Sequence, residues 1–256
     1  MDVKRLSTNS SGPWKALFFS VLICALLGLV GLILYKYRDK LTVVGDINIE
    51  ELRKHAVEIT IDRERLHPDL KVSKDCKTVR DSNEYKHTGE GFPYQLCAFG
   101  AQRFTSGRHY WEVGLAQTNT PPKNYWLIGV VKHGHFRSNN RSALTPSRGL
   151  WFLCSDGPHG FYTNTDPSIR FSLTPRPERL GVLFDYDDGL LSFYNVKESK
   201  HLLTISSRFS GSVVPLFNPG AGDPSPLTIL DCPKPVESPQ SSQHLLSNNS
   251  FRRLTD

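Results

Sequence analysis

Few residues in this chain are placed, by type and spacing, to do chemistry. His133-Gly134-His135 brings two imidazoles within reach of one metal ion, yet no Cys, Asp or Glu stands beside them to complete a tetrahedral set, so a solvated loop is the simpler reading. Asp185, Asp187 and Asp188 form an acidic group that could attract calcium. Asp-Gly turn chemistry accounts for two of the three, and no oxygen-rich loop of binding length surrounds them. Of the five cysteines, Cys24 lies in an apolar run, and Cys76, Cys97, Cys154 and Cys232 show neither a C-x-x-C pair nor zinc-type spacing. Cys97 and Cys154 sit among apolar neighbours, where a reduced thiol behaves as a small hydrophobe. That favours a reducing compartment, with two disulfides among the four left as the open alternative. There is no G-x-S-x-G, H-E-x-x-H, P-loop or G-x-G-x-x-G, and no Ser, His and acid set at a known spacing. The expectation is a protein without catalytic residues, metal or cofactor, acting by recognition.

Recognition needs side chains on loops held by a rigid frame. Three segments between apolar runs qualify: 117–125, 133–148 and 155–168. They carry His133, His135, Phe136, Arg137, Arg141 and Arg148, then Asp156, His159, Phe161 and Tyr162, with Trp151 at their mouth. Arginine and aromatic side chains are the usual anchors of protein interfaces. The candidate partner-binding set is therefore His133, His135, Phe136, Arg137, Arg148, Trp151, Asp156, His159 and Tyr162. By their apolar neighbours Trp151 and Phe161 fit a core equally well.

The frame is legible as period-two patterning. In Phe104–Leu115, FTSGRHYWEVGL, a Thr-Ser-Gly turn feeds a run in which Trp111, Val113 and Leu115 share one face and Tyr110 and Glu112 the other, a half-buried strand. Short strands are expected at 59–61, 70–72, 78–80, 95–99, 109–115, 126–131, 149–154, 160–163, 179–186, 190–196, 202–205, 213–217 and 227–230. Asp188-Gly189 supplies the positive φ angles of a tight hairpin. Regularly spaced strands separated by turn residues predict an all-β, antiparallel sandwich over 57–232.

Outside that domain, Ala16–Leu34 is nineteen residues without a charge, about 28 Å as a helix, enough to cross a bilayer. Trp14 precedes the run and Tyr35 and Tyr37 follow it, as interfacial aromatics do. The exit lacks a small-x-small cleavage site, so the run reads as a transmembrane helix over 16–35 after a short N-terminal segment, 1–15, and not as a signal peptide. Cys24, Gly28 and Gly31 share one face where a second copy could approach as a homodimer, although small residues are common in such helices. Within 36–56, Asn48-Ile49-Glu50-Glu51 reads as a capping box, with Asn48 accepting from the Glu51 amide and Glu51 reaching back. It opens a short juxtamembrane helix to about Ala56, with Ile49, Leu52 and Ala56 on the face toward the sandwich. The stretch 233–256 is rich in Pro, Ser, Gln and Asn and is expected to be disordered; its Arg252-Arg253-Leu254-Thr255 resembles a basophilic kinase site. Asn9-Ser10-Ser11 and Asn140-Arg141-Ser142 are glycosylation sequons.

The formal charge is +6 over 256 residues. Lys4, Arg5, Lys15, Lys36, Arg38 and Lys40 against Asp2 and Asp39 leave +4 in the first forty, and 233–256 carries +1, so residues 41–232 hold only +1. The excess belongs to a membrane flank, which argues against a nucleic-acid partner. Lys and Arg are equal in number on the two near flanks, and only counting Arg53 and Lys54 does the C-terminal side lead.

Phe104–Val113 resembles the signature of the PRY-SPRY (B30.2) domain found in butyrophilins and tripartite-motif ubiquitin ligases. Val57–Arg80 is similar to the PRY segment, with His67, Pro68, Leu70, Ser73 and Asp75 matching and Ile61-Asp62-Arg63 replacing Leu-Asp-Pro. Trp126–Val131, Gly149–Phe152, Leu180–Val196 and Val214–Phe217 resemble the remaining blocks. The resemblance implies a domain that binds a protein partner through loops at one end of the sandwich, in a butyrophilin-like, single-pass protein, facing the cytoplasm as in butyrophilins and tied to immune regulation; the expected form departs from that family in lacking immunoglobulin domains. No RING or B-box array precedes the domain, so ligase activity is not implied. Certain butyrophilins bind phosphorylated metabolites in a basic pocket of this domain. The alternative it implies is a sensor of a small anion, with His133, His135, Arg137 and Arg148 as the cations.

Overall fold

The computed structural model describes residues 18–24, 26, 28, 47–82, 96–117, 123–134, 144–223 and 225–232. The chain divides into two compact units, 1–46 and 47–256. In the first, residues 18–24, 26 and 28 are helical, and Phe18, Phe19, Val21, Leu22, Ile23 and Leu26 are 45–61% exposed. No helix among the described residues is long and apolar enough to cross a membrane; the expected span 16–35 runs partly outside them, as do Gly31, both sequons and 233–256.

The second unit opens with helix α1, Ile49–Arg53. Thirteen strands follow among the described residues: β1 (Leu70–Val72), β2 (Thr78–Asp81), β3 (Ala98–Phe99), β4 (Arg108–Gly114), β5 (Tyr125–Lys132), β6 (Leu150–Asp156), β7 (Phe161–Thr163), β8 (Arg170–Phe171), β9 (Arg179–Asp185), β10 (Leu190–Asn195), β11 (Lys200–Ser206), β12 (Val213–Asn218) and β13 (Leu227–Leu230). They form a seven-stranded sheet, β1-β2-β13-β4-β9-β10-β11, and a six-stranded sheet, β3-β12-β5-β6-β7-β8. Adjacent strands are antiparallel throughout, so this part of the chain is the all-β sandwich that the patterning predicts. Of the expected strands, 59–61 is reduced to a single bridge from Ile61 to Gly100, while β8 was not anticipated.

Alternation decides what each strand buries. Trp111 and Val113 of β4, Val130 and Ile128 of β5, Trp151 and Leu153 of β6, and Phe217 of β12 meet between the sheets. The opposite face of the six-stranded sheet is also apolar and buried, with Leu127, Val131, Phe152, Cys154, Tyr162, Val214 and Leu216 in one cluster. β4 departs from the expected half-buried pattern, because Tyr110 and Glu112 are 0% exposed. Residues 55–57 run beside β4, where Tyr110 N–H donates to the His55 carbonyl and Val57 N–H to that of Tyr110, at 2.8 and 3.0 Å, and Arg53 of α1 reaches Glu112 at 2.9 Å.

Two local expectations are corrected. The Asn48 side chain accepts from the Glu50 amide at 3.1 Å, not from Glu51, and the Glu51 carboxylate turns to Lys54 at 2.8 Å instead of reaching back. Lys54, one turn on, takes the carboxylate that would complete the box, and the chain straightens at Ala56 into a bridge with Tyr110. In the β9–β10 hairpin the connection is the four residues 186–189, and of Asp188-Gly189 only Gly189 has positive φ, +68°. A longer loop needs a single left-handed residue where a two-residue turn needs two.

Candidate partner-binding surface

β5 runs from Tyr125 to Lys132 and β6 returns from Leu150 to Asp156, so their connection lies at one end of the sandwich and the segments around 125 and 156 at the other. The expected single cluster of loops is thereby split. His133 and Arg148 occupy the first end; Asp156 and His159 occupy the second.

The first end is built on backbone. His133 N–H donates to the Ser212 carbonyl at 2.8 Å and Lys132 N–H to that of Gly149 at 2.7 Å. Arg148 closes a 3₁₀ turn, Pro146–Arg148, that ends on Gly149 at φ +80°; a Cβ there would stand 2.8 Å from the Lys132 Cβ. Asn164 braces the turn, its amide donating to the carbonyls of Leu144 and Leu150 at 3.0 and 2.8 Å and its oxygen accepting from Phe152 N–H at 3.0 Å. Arg103 precedes Phe104, which pairs with Val213, itself the register partner of Lys132. Arg103 and Arg148 are exposed. Neither they nor Lys132 make an ion pair among the described residues. Partial burial, then the positive charges of Arg103 and Arg65, hold the His133 imidazole below its usual pKa against a weaker pull from Asp62.

At the second end, Gly157–His159 form another 3₁₀ turn with His159 exposed. Gly157 has φ +55°, and a Cβ on it would meet the Tyr125 ring at 2.7 Å. Arg176 pins the turn, donating to the Gly157 carbonyl at 3.0 Å and Ser155 Oγ at 3.1 Å while lying 4.8 Å from the Phe161 ring centroid. Beside it Lys123 and Asp223 form a buried pair at 3.3 Å, and the Asp223 carboxylate also accepts from the amides of Asn124, Tyr125 and Ser225.

Three candidates are not surface residues. Trp151 is 4% exposed and packs edge-on to Phe209 at 4.8 Å between the sheets, so it is core and not a loop mouth. Tyr162, 5% exposed, lies in the outer-face cluster under Arg170, whose guanidinium is 5.1 Å from its ring. Asp156 is buried at the end of β6. His135, Phe136, Arg137 and Arg141 fall outside the described residues. Arg103, Asn164 and Arg176 were missed. Asn164 and Arg176 act through partners distant in sequence, and Arg103 is brought beside His133 by the Phe104–Val213 bridge; no local spacing announces that.

The acidic group is consumed by structure. Asp185 pairs with Arg108 and accepts from the Asp188 amide, Asp188 takes the other arm of Arg108 at 3.0 Å, and Asp187 accepts from the Gly107 amide at 2.9 Å. The three carboxylates hold the β9–β10 hairpin to the turn before β4. Among the described residues no three His, Cys, Asp or Glu side chains gather as metal ligands, and Cys97 and Cys154 are buried in the apolar outer-face cluster.

A two-sheet antiparallel sandwich with structured turns at both ends belongs to the class of all-β sandwich domains. Comparison narrows the class. The SPRY domain family matches residues 108–228. Human pyrin is 34% identical over 203 residues, covering 75% of this chain and 25% of pyrin. Human butyrophilin subfamily 1 member A1 is 32% identical over 202 residues, covering 77% of this chain and 37% of the butyrophilin. The chain thus spans only a quarter to about a third of the length of these two relatives. The crystal structure of the TRIM65 PSpry domain superposes with a TM-score of 0.57 over 72% of this chain and 97% of that one; at 20% identity it speaks for the fold alone. The chain carries a SPRY domain of the B30.2 (PRY-SPRY) family and has pyrin and butyrophilin as homologues.

Proposed function

We propose that the chain is a membrane-tethered recognition module that recruits a protein partner through the loop surface of its B30.2 domain, without chemistry of its own. The carrying observation is the first end of the sandwich. There Arg103, Lys132 and Arg148 stand on a rigid frame with no acidic partner among the described residues, beside His133. An acidic or aromatic partner surface would complete it. The tether rests on the uncharged run 16–34, whose described part is helical with its large apolar side chains exposed. The cytoplasmic orientation, a role in immune regulation and self-association through the membrane helix rest on the butyrophilin resemblance and the Cys24, Gly28, Gly31 spacing.

Two measurements test this. In sealed microsomes a C-terminal tag is expected to be digested by protease without detergent, with Asn140 unglycosylated; protection and glycosylation would place the domain on the opposite side. Proximity labelling with the full chain should enrich proteins that are lost with His133→Ala/Arg148→Ala. An unchanged set of neighbours would show that this end is not the binding surface.

Arg103, Lys132 and Arg148, without an acidic partner among the described residues, favour as a second reading a small phosphorylated anion at this end. Titration of the full chain with inorganic pyrophosphate should then give salt-sensitive binding abolished by Arg148→Ala. Binding insensitive to salt or to that substitution rules the anion site out.

A further inference from the structure

β8 and β11 are the terminal strands of their two sheets, and the chain leaving β8 crosses between them to reach β9. Along this flank lies a cavity of about 270 Å³, walled by Leu173, Thr174 and Pro175 on one side and by Asn195, His201 and Leu202 on the other. It is smaller than the pockets that enclose drug-sized molecules, about 300–1,000 Å³, and suits a single side chain. Leu191, Phe193 and Asn195 alternate onto the same face of β10, so the face that buries two apolar side chains in the core ends in a carboxamide at the core's margin. Asn195 is 5% exposed and its Oδ1 is buried without a hydrogen-bond partner. No described residue bonds its Nδ2. A buried amide oxygen left unpaired is a cost that nothing on β10 offsets. An amide offers one acceptor and two donors, and its complement is another amide.

The adjoining edge is open. β11 pairs only with β10, and among the described residues no backbone group from outside that hairpin bonds to residues 201–206. Just before the strand, Ile47 N–H already donates to the Ser199 carbonyl at 2.9 Å, so this edge accepts added backbone. Exposed Glu198 and Lys200 at the rim cancel in charge, which favours an uncharged ligand.

We propose that this flank docks an extended, uncharged peptide, which adds as a strand along β11 while a Gln or Asn side chain enters the cavity to pair with Asn195. The site is separate from the His133 and Arg148 end. The β9–β10 hairpin reaches that end, with Tyr186 Oη donating to the Gly211 carbonyl, and Asn195 lies at the far end of β10.

The test uses the full chain in detergent micelles and three capped heptapeptides, Thr-Val-Thr-X-Thr-Val-Thr with X as Gln, Leu or Glu, read by fluorescence polarisation. The Gln peptide should bind at least tenfold more tightly than the others, and N-methylation at alternate peptide nitrogens should abolish binding. Asn195→Leu should erase the Gln preference without lowering Tm, since it removes an unpaired amide, and Thr174→Trp at the mouth should block entry. Equal affinities for the three peptides, no binding by any, or a Gln preference that survives Asn195→Leu would overturn the proposal.

Discussion

Glu112 is the residue on which the entry to the domain turns. Its carboxylate is fully buried between Arg53 of α1, at 2.9 Å, and Arg179 of β9, and accepts from Tyr110 Oη at 3.0 Å. Burial alone would raise its pKa, but the Arg53 hydrogen bond, the Arg179 charge and the Tyr110 hydroxyl outweigh it and hold the group below the usual glutamate range. Removing one member of a buried pair strands the others. Glu112→Gln should therefore lose on the order of 3–5 kcal/mol in chemical unfolding at neutral pH. Because the folded pKa is depressed, this stabilisation is present above the unfolded pKa and lost as pH falls through the folded one. The variant should show a flatter acid limb than the parent, and parallel acid limbs would contradict the assignment. Lys123 is the converse case. Burial, only partly countered by Asp223, pulls its pKa down to about 8 from 10.5. The unfolded chain binds the extra proton between those values, so this lysine costs on the order of 3 kcal/mol below pH 8. That cost is relieved as pH rises toward 10.5. In Lys123→Met the rise in stability between pH 8 and 10 should be smaller than in the parent, and an equal rise would show that Lys123 is not desolvated.

At the scale of elements, the sheets are legible because alternation and turn residues are local signals. Period two alone puts Trp111, Val113 and Leu115 on one face, and all are at most 1% exposed. What escaped are elements whose existence depends on a distant partner. β8 is two residues long and exists because Phe171 and Arg170 meet Phe161 and Tyr162. The segment 59–61 looks like a strand, yet it finds only Gly100 opposite. Gly129 shows the same dependence at one position. In W-L-I-G-V-V it reads as a gap in an apolar run; in the sheet it faces Phe152, and a Cβ would lie 2.0 Å from the Trp151 carbonyl oxygen. That neighbour is backbone and cannot swing aside. Gly129→Ala should force β5 from β6 and abolish the cooperative thermal transition, whereas Gly134→Ala, with open space around its Cβ but φ +79°, should cost only about 1 kcal/mol. Equal effects of the two would show that β5 and β6 approach less closely than the register implies.

At the scale of the whole molecule, the candidate site was less legible than its frame, since sequence shows which loops exist but not which end each reaches. His133 and Arg148 are fifteen residues apart and share an end, while Asp156 and His159, close behind in sequence, are carried to the other by the single pass of β6. Composition misleads in the same way, because the formal charge of +6 is a sum over parts with different neighbours. Counting by segment leaves residues 41–232 at +1, and many of the domain's basic side chains are committed: Arg53 and Arg179 to Glu112, Arg108 to Asp185 and Asp188, Lys123 to Asp223, Lys197 to Glu178. Nucleic acid binds by exchanging counterions for several phosphate contacts at once. Among the described residues, the cations without an acidic partner at the first end are Arg103, Lys132 and Arg148, too few to sustain that at physiological salt. In a mobility-shift assay with random duplex DNA the full chain should form no complex at physiological salt, and any weak complex at low salt should vanish with a slope of about three phosphates or fewer. A steeper slope would mean that the basic residues act together as one surface, and that the partner to look for is a polyanion instead of a protein.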